Sequence, residues 1–464
     1  MNKKNKHLVS RVTSKIPFYI FFGIVYLGFI WILHLYVPLY KKSNDLWNDR
    51  IFSQPLEGEL FPENIILIDI DSWPYYKDNR PEAQTARDKV VKEMIAIIDL
   101  IKDKVPFIGI DMTFESFAND SLMAKLFNRF KDHENIFLAV EYDREKKALK
   151  FPANYFWDKI ARNIEKIKKR LMVISLEKYK DEPIRRYKTF YKAGFDNTGA
   201  AYDFPSMGTV IAKLVNRYYL GNTSELKIDD RVSRFRFRYL IKNIKEDYMK
   251  YNVLSLQKAK ECFFASGGQG ALLKNRPLDP HKTFYSPSDK RNLNFSKSIV
   301  IFGRMDPDPD GRDRFPVCAV IKEDGKDTRA TLPGVMIHLN AAMSILLKEN
   351  IKRMGKGKVL VYLFVLLVVL ILFHIVFEGL FSKSKSKWSQ WYPEIFLFCA
   401  IVPVIILLDY LIKEPGSGNL EIPMFAFYMF ALKFYPAIGI IDWLYRHFLL
   451  RWCKQKWSKS KRRS

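Results

Sequence analysis

The chain has 464 residues, enough for two or three structural units, and a formal net charge of +26 at pH 7. Such an excess commonly comes from nucleic-acid binding or from Lys and Arg that flank membrane helices on the cytoplasmic side. More than half of it lies beside predicted membrane segments, in residues 1–16, 378–391 and 446–464. The charge therefore argues against a nucleic-acid-binding protein. Four cysteines are too few for a disulfide framework, although Cys262 and Cys318 could pair in an oxidising compartment.

The first apolar run, residues 16–40, is long enough to cross a membrane. It is longer than the apolar part of a signal peptide and has no small-residue cleavage site. Five basic residues precede it, which favours a cytoplasmic N-terminus. We therefore predict a cytoplasmic segment 1–16 and an uncleaved transmembrane anchor 17–40.

The last quarter of the chain contains three more apolar runs, which predict transmembrane spans at 359–377, 394–412 and 422–445. The connection after the first of them is basic, as is the tail 446–464, and both are therefore expected in the cytoplasm. An even number of spans with both termini inside places the intervening domain, residues 41–358, outside the cytoplasm.

Asp409 and Lys433 lie within these apolar runs, and buried charge in lipid is costly. Asp409 lies near a span end, where it can reach the headgroups. Lys433 lies near the middle of its span and is the better candidate for an interhelical contact that relays a signal, with Asp409 or Asp442 as its partner.

Within 41–358, strand-like and helix-like runs alternate with short connections, which predicts an α/β domain with a largely parallel sheet. The predicted strands are 64–71, 106–114, 135–142, 233–241 and 297–303, and the predicted helices are 84–103, 121–132, 204–222 and 334–349.

Three aspartates follow predicted strands: Asp69, Asp71 and Asp111. Ligands of open α/β sheets bind at the carboxyl edge of the strands, so these side chains could bind a cation or a polar signal molecule. The alternative is that they cap the turns or helices that follow, as Asp commonly does.

The segment "RMDPDPDGRDRF" (304–315) begins with the acidic spacing of a calcium loop. An EF-hand needs a bidentate acid at position twelve, where this chain has Val317. We therefore predict a turn at a strand end, with Asp306 and Asp313 at the rim of the same cleft, and leave a weak metal site as the alternative.

The helix 334–349 contains His338 and Asn340, which are candidates for relaying a signal. One interpretation is a buried, hydrogen-bonded histidine, and the other is a switch that protonates near pH 6.5. The sequence shows no catalytic triad, Walker loop or zinc spacing. We therefore predict no catalytic residues, no resident metal, no cofactor and no enzymatic activity.

Several stretches of the outer domain together resemble the type-2 CHASE family, the extracellular sensory domains associated with bacterial cyclases and with histidine and serine/threonine kinases. They are "IILIDIDSWPY", "FIGIDMTFES", "NDSLMAKLF", "SIVIFG" with its Asp-to-Pro loop, and "LPGVMIHLNAAMSILL". The family layout of one span, the domain and three spans fits residues 17–445. The middle of the domain, residues 143–290, matches the family poorly. The resemblance also implies a kinase or cyclase output domain, and this sequence is not expected to supply one.

The resemblance implies a sensory membrane protein of the bacterial inner membrane, with the domain in the periplasm or outside the cell. Its expected partners are a small ligand or envelope protein outside, the lipid bilayer, and a separate membrane or cytoplasmic output protein. It could form a homo-oligomer. A structural scaffold subunit of an envelope complex is the main alternative, and an enzyme acting outside the cytoplasm is a third.

Overall fold

We analysed a computed structural model of the chain, which divides into two compact units: residues 52–350, and the segments 1–51 and 351–464 together. The first unit is slightly shorter at both ends than the predicted outer domain 41–358. The structure describes residues 3–36, 65–70, 80–114, 119–150, 167–176, 183–194, 201–220, 252–265, 298–305, 314–323, 326–348, 355–381 and 424–449, with short pieces between them.

The unit 52–350 is built on a mixed, mainly parallel sheet of nine strands. Eight follow the order β10-β1-β13-β2-β3-β4-β7-β8, and β5 pairs with β3. Strands β10, β1, β13, β2, β3 and β5 pair with one another in parallel, which confirms the predicted α/β class with a largely parallel sheet. The pairs β3–β4 and β7–β8 are antiparallel. The strands are β1 (Ile65–Asp69), β2 (Phe107–Ile110), β3 (Ile136–Asp143), β4 (Ala148–Lys150), β5 (Leu171–Val173), β7 (Phe190–Gly194), β8 (Ala201–Pro205), β10 (Val253–Ser255) and β13 (Ile299–Gly303).

Helices cover both faces of this sheet, which explains why the central strands are continuous apolar runs. In β1, the even-numbered residues Ile66 and Ile68 pack into one hydrophobic cluster, and the odd-numbered Ile65 and Leu67 pack into the other. The first cluster includes helices α2 (Pro81–Ile101), α3 (Asp120–Asp132) and α5 (Leu256–Ala265), and the second includes α4 (Met207–Leu214) and α6 (Gly334–Leu346).

Short strands add an outer layer next to the second cluster. Strands β14 (Arg314–Glu323) and β15 (Lys326–Pro333) form an antiparallel hairpin, and β6 (Arg186–Tyr187) pairs with β9 (Ser233–Arg234). The two pieces are linked, since the Ile184 N–H donates to the Pro316 carbonyl at 2.8 Å. Because β15 runs directly into α6, this layer fixes where that helix begins. The short strands β11 (Leu272–Leu273) and β12 (Arg291–Asn292) pair with each other.

Local chemistry sets several helix ends. Pro81 is the first residue of α2, three residues before the predicted start, because proline suits the first helical position. Asn119 caps α3 by accepting from the Leu122 N–H at 3.1 Å, and its side chain also donates to Asp88 at 2.7 Å. α6 ends at Leu346, before the predicted 349, and Lys348 follows with a left-handed φ of 55°.

The predicted helix 204–222 is wrong at both ends. Residues up to Pro205 belong to β8, the α-helix is confined to Met207–Leu214, and a π-helical turn, Val215–Tyr219, follows it.

The second unit packs α1 (Lys3–Tyr36), α7 (Lys356–Phe381) and α8 (Met424–Leu444) around one hydrophobic cluster, and a π-helical turn, Tyr445–Leu449, follows α8. Aromatic rings dominate the α1–α8 contact, with Phe22 against Phe434 at 5.2 Å and Tyr26 against Phe430 at 4.9 Å between ring centroids. The Tyr26 hydroxyl also donates to the Phe430 carbonyl at 2.5 Å. Strands β16 (Lys352–Arg353) and β17 (Leu420–Glu421) pair in parallel just before α7 and α8.

Among the helices that the structure describes, Lys356–Val376 passes a length and hydropathy test for a membrane-spanning segment, while Ile16–Ile32 is apolar but shorter. The four predicted spans are therefore not confirmed as a set. The third of them, 394–412, lies outside the described residues apart from Ile406.

Candidate functional site

The carboxyl ends of three neighbouring parallel strands bring Asp69, Gly303 and Asp111 to one edge of the sheet. Asp69 is opposite Gly303 in the β1–β13 register. Asp111 directly follows β2, and its N–H donates to the Phe302 carbonyl of β13 at 2.8 Å. By the alternation of strand residues, all three lie on the face covered by α4 and α6. Two carboxyl-bearing residues therefore flank a glycine at this edge of the sheet.

The Asp69 side chain is buried at this edge and accepts a backbone hydrogen bond. It is 2% exposed, and its Oδ1 accepts from the Met305 N–H at 2.8 Å. This bond fixes the chain as it leaves β13.

Gly303 leaves a space that a side chain of α6 fills. A Cβ atom on Gly303 would lie 3.3 Å from the Val335 Cβ and 3.5 Å from the Asp111 Cβ. Val335 itself is 2% exposed and is the second residue of α6. The first turn of α6 thus packs directly onto the sheet edge next to Asp111.

One helical turn further along α6, His338 is at the centre of a buried chain of hydrogen bonds. The Gly208 N–H donates to the Tyr187 hydroxyl at 2.8 Å, and that hydroxyl is 2.6 Å from His338 Nδ1. Since His338 also hydrogen-bonds the backbone of Ile174, the consistent assignment has Tyr187 donating to Nδ1 and His338 Nε2–H donating to the Ile174 carbonyl. These hydrogen bonds connect α6 to β6, to the start of α4 and to the end of β5.

Burial controls the ionisation of both side chains. Desolvation lowers the pKa of His338 to about 3, against which the Ile174 carbonyl acts weakly. Desolvation raises the pKa of Tyr187, and the negative charge of Asp111 adds to the increase. His338 is therefore neutral at pH 6.5, which supports the interpretation as a buried, hydrogen-bonded histidine over a switch near that pH.

Small polar residues extend this buried network to the N-terminus of α4. The Ser206 and Thr209 hydroxyls are 2.9 Å apart, and Thr209 donates to the Thr189 carbonyl at 3.0 Å. All three side chains are buried. The three residues therefore hydrogen-bond to one another in the interior of the domain.

Asn340 fastens the next part of α6 to a different segment. Its Oδ1 accepts from the Tyr239 N–H at 2.9 Å, and its Nδ2 donates to the Tyr239 carbonyl at 3.0 Å and to the Met336 carbonyl at 2.8 Å. Asn340 is fully buried. The two residues of α6 that were predicted to relay a signal, His338 and Asn340, therefore both hold this helix in place.

The remaining predicted site residues divide into two groups. Asp71, Asp306 and Asp313 lie outside the described residues, so their place in the cleft stays a prediction. Lys433 is on an exposed face of α8, and Asp442 pairs with Arg446 at 2.9 Å. Asp409 also lies outside the described residues.

Two further predictions concern metals and disulfides. No cluster of three or more potential metal ligands occurs within the described part of the chain. Cys318 is buried near Arg234, with 3.9 Å between Sγ and Nη1, while the Cys262 side chain is not described.

The sequence did not point to Tyr187, Gly208, Gly303 or Val335. A tyrosine in a short strand and two glycines carry no local signal. Ser206 was not predicted as the N-cap residue of α4 because the predicted helix began at residue 204, two residues before it.

Comparison with known proteins supports the family resemblance. The family model described as "CHASE2 domain" matches residues 24–376, which is more than half of the chain. No curated protein and no solved structure matches the chain. The chain therefore belongs to the CHASE2 family of extracellular sensory domains.

Proposed function

We propose that this chain is a multi-pass sensor of the bacterial inner membrane. Its outer domain, residues 41–358, binds a small ligand or an envelope protein outside the cytoplasm. Four spans, 17–40, 359–377, 394–412 and 422–445, carry the domain, and both termini are cytoplasmic. The signal leaves through α6 and is received by a separate output protein.

The relative directions of the three helices in the second unit support the proposed membrane topology. Phe22 meets Phe434 and Tyr26 meets Phe430, so α1 and α8 run antiparallel. Tyr19 meets His374 and Gly23 approaches Leu367, so α1 and α7 are antiparallel too. α7 and α8 therefore point the same way.

Two parallel helices in sequence need a returning segment between them. α8 begins beside the start of α7, where β16 and β17 pair in parallel, and the proposed fourth span is the return through the sequence between the two helices. The apolar run 394–412 lies in this stretch, and as a helix it would reach ~28 Å, close to the thickness of a bilayer. This is the support for a fourth span.

Charge favours one orientation of this bundle. The start of α1, the end of α7 and the end of α8 lie at the same end. The sequence places five basic residues at the first, the "SKSKSK" stretch beyond the second and eight basic residues beyond the third. Basic residues mark the cytoplasmic side.

Labelling of introduced cysteines tests the orientation. In a variant with the four native cysteines replaced by serine, we expect Asp308→Cys to react with a membrane-impermeant maleimide in spheroplasts. Ser384→Cys should react only after the membrane is opened. Labelling of Asp308→Cys only from the cytoplasmic side would overturn the proposal.

Binding at the sheet edge rests on Asp69 and Asp111 and needs its own test. The chain in detergent is heated with Ca²⁺, Mg²⁺, polyamines or amino acids, and a ligand that binds the native state raises Tm in a saturable way. We expect at least one such shift, which Asp111→Asn abolishes and which Asp203→Asn, an exposed aspartate on β8, leaves unchanged. A shift that survives in Asp111→Asn would exclude this edge.

A static scaffold is the second candidate, favoured by one observation. The Asp69 carboxylate accepts from the Met305 N–H, and Val335 fills the space over Gly303, so both positions have protein contacts of their own. No thermal shift with any solute, together with a stoichiometric protein partner after purification from membranes, would favour the scaffold.

A further inference from the structure

We propose that the contact of Val335 with Gly303 is an autoinhibitory plug, which must be displaced before any group enters the sheet edge between Asp69 and Asp111. The inference rests on the proposed sensory function and specifies how binding would be coupled to movement of α6.

The plug is defined by close contact. An added Cβ on Gly303 would lie 3.3 Å from the Cβ and 3.4 Å from the Cγ2 of Val335. Gly303 does not have a left-handed φ, so space rather than backbone strain opposes a side chain here. Even one extra carbon therefore requires Val335 to shift by a few tenths of an ångström, and a larger group requires more.

Val335 cannot shift alone, because the following turn of α6 is fixed on several sides. The His338 carbonyl is so close to α4 that a Cβ on Gly208 would lie 2.8 Å from it. His338 also bonds Tyr187, and Asn340 bonds the backbone of Tyr239. A displacement of the first turn is therefore carried by the whole of α6, a helix of 13 residues, or breaks these bonds.

The helix α6 is the last element of the outer domain before the chain enters the second unit. α6 ends at Leu346, and α7 begins at Lys356 in the second unit. Displacement of α6 therefore moves the point from which the chain leaves the outer domain. A ligand shifts the equilibrium between the seated and the displaced plug only by its differential affinity for the two states.

Gly303→Val tests the plug without a ligand, because the new side chain occupies the space that an entering group would take. Hydrogen–deuterium exchange of the full chain in detergent is followed in peptides from α6 and from the central strands β1 and β2. We expect Gly303→Val to increase exchange of the α6 amides about ten-fold or more, with the strands changing by less than about three-fold.

A second substitution distinguishes a plug from general damage. In Gly303→Val combined with Val335→Gly, both Val335 atoms that the new side chain meets, Cβ and Cγ2, are removed. Exchange of α6 should then return to within about three-fold of that in Val335→Gly alone. The matched control is Gly334→Ala, whose added Cβ would make only an ordinary 3.6 Å contact with Phe315 and should leave exchange unchanged.

Three outcomes would overturn the plug: unchanged α6 exchange in Gly303→Val, equal acceleration in the strands, or failure of Val335→Gly to restore exchange in the double variant. Because no ligand is used, this result is independent of the thermal-shift test. The plug can be present in a chain whose Tm does not rise with any solute. Conversely, a solute can raise Tm in a chain whose α6 exchange is unchanged by Gly303→Val.

Discussion

The Asn340 side chain hydrogen-bonds both the N–H and the carbonyl of Tyr239, as an adjacent strand would do. A third bond joins Asn340 to the Met336 carbonyl within α6. One amide group therefore satisfies two backbone groups of a buried segment and attaches that segment to the helix.

Replacing Asn340 with alanine should destabilise the outer domain strongly. The substitution leaves the Tyr239 N–H and carbonyl buried without partners, which costs about 1–3 kcal/mol for each group. We expect the free energy of unfolding, measured by urea denaturation in detergent, to fall by about 2–4 kcal/mol.

Asn222→Ala is the matched control for this substitution. Asn222 is exposed and donates to Asn216 Oδ1 at 3.0 Å, so its loss should cost less than about 0.5 kcal/mol. Equal effects of Asn340→Ala and Asn222→Ala would show that the Tyr239 bonds contribute little.

The sequence predicted the parallel strands and the carboxylates at their ends because both depend on local patterns. Ile65–Asp69 and Phe107–Ile110 are continuous apolar runs, and parallel strands meet at the same edge. The partner of His338 could not be predicted in this way, because Tyr187 is 151 residues away. The space over Gly303 depends on three segments at once, so it follows from packing and not from any one stretch of sequence.

Gly208→Ala should disrupt the contact between α4 and α6. Its Cβ would lie 2.8 Å from the His338 carbonyl oxygen and 2.9 Å from the Tyr187 hydroxyl. The helix backbones must separate or the Tyr187–His338 bond must break, so Tm should fall by several degrees, corresponding to about 1–3 kcal/mol.

Gly357→Ala provides the comparison for the same chemical change. No atom lies within 4 Å of its added Cβ, and it is the second residue of α7, where alanine is the better helix former. The substitution should be neutral or slightly stabilising. A Gly208→Ala variant as stable as Gly357→Ala would contradict the close approach of α4 and α6.

The buried histidine should make the outer domain less stable in acid. The pKa of His338 is about 3 in the native state and near 6.5 when exposed, so below pH 6.5 the unfolded chain binds a proton that the native chain does not. Stability is therefore complete above pH 6.5 and falls by about 1.4 kcal/mol per pH unit as the pH decreases toward 3.

The measurement compares the parent chain with His338→Gln between pH 7 and pH 5, above the range in which most carboxylates titrate. The variant lacks this group, so its free energy of unfolding should depend less on pH, by about 1.4 kcal/mol per unit at the acidic end. Parallel pH profiles for the two proteins would show that His338 is not buried in its neutral form.

In the helical unit, Tyr26→Phe should weaken the contact between α1 and α8 by a small amount. The substitution removes the hydrogen bond to the Phe430 carbonyl and keeps the ring that packs 5.2 Å from Phe22 and 4.9 Å from Phe430. Interhelical hydrogen bonds in membrane proteins contribute about 0.6 kcal/mol on average, so we expect a loss near that value in detergent unfolding. Tyr26→Ala, which also removes the buried ring, should cost about 3 kcal/mol or more. If the phenylalanine and alanine variants lose equal stability, the hydroxyl rather than the ring is the main contact, and the aromatic packing that sets the antiparallel direction of α1 and α8 would lose its support.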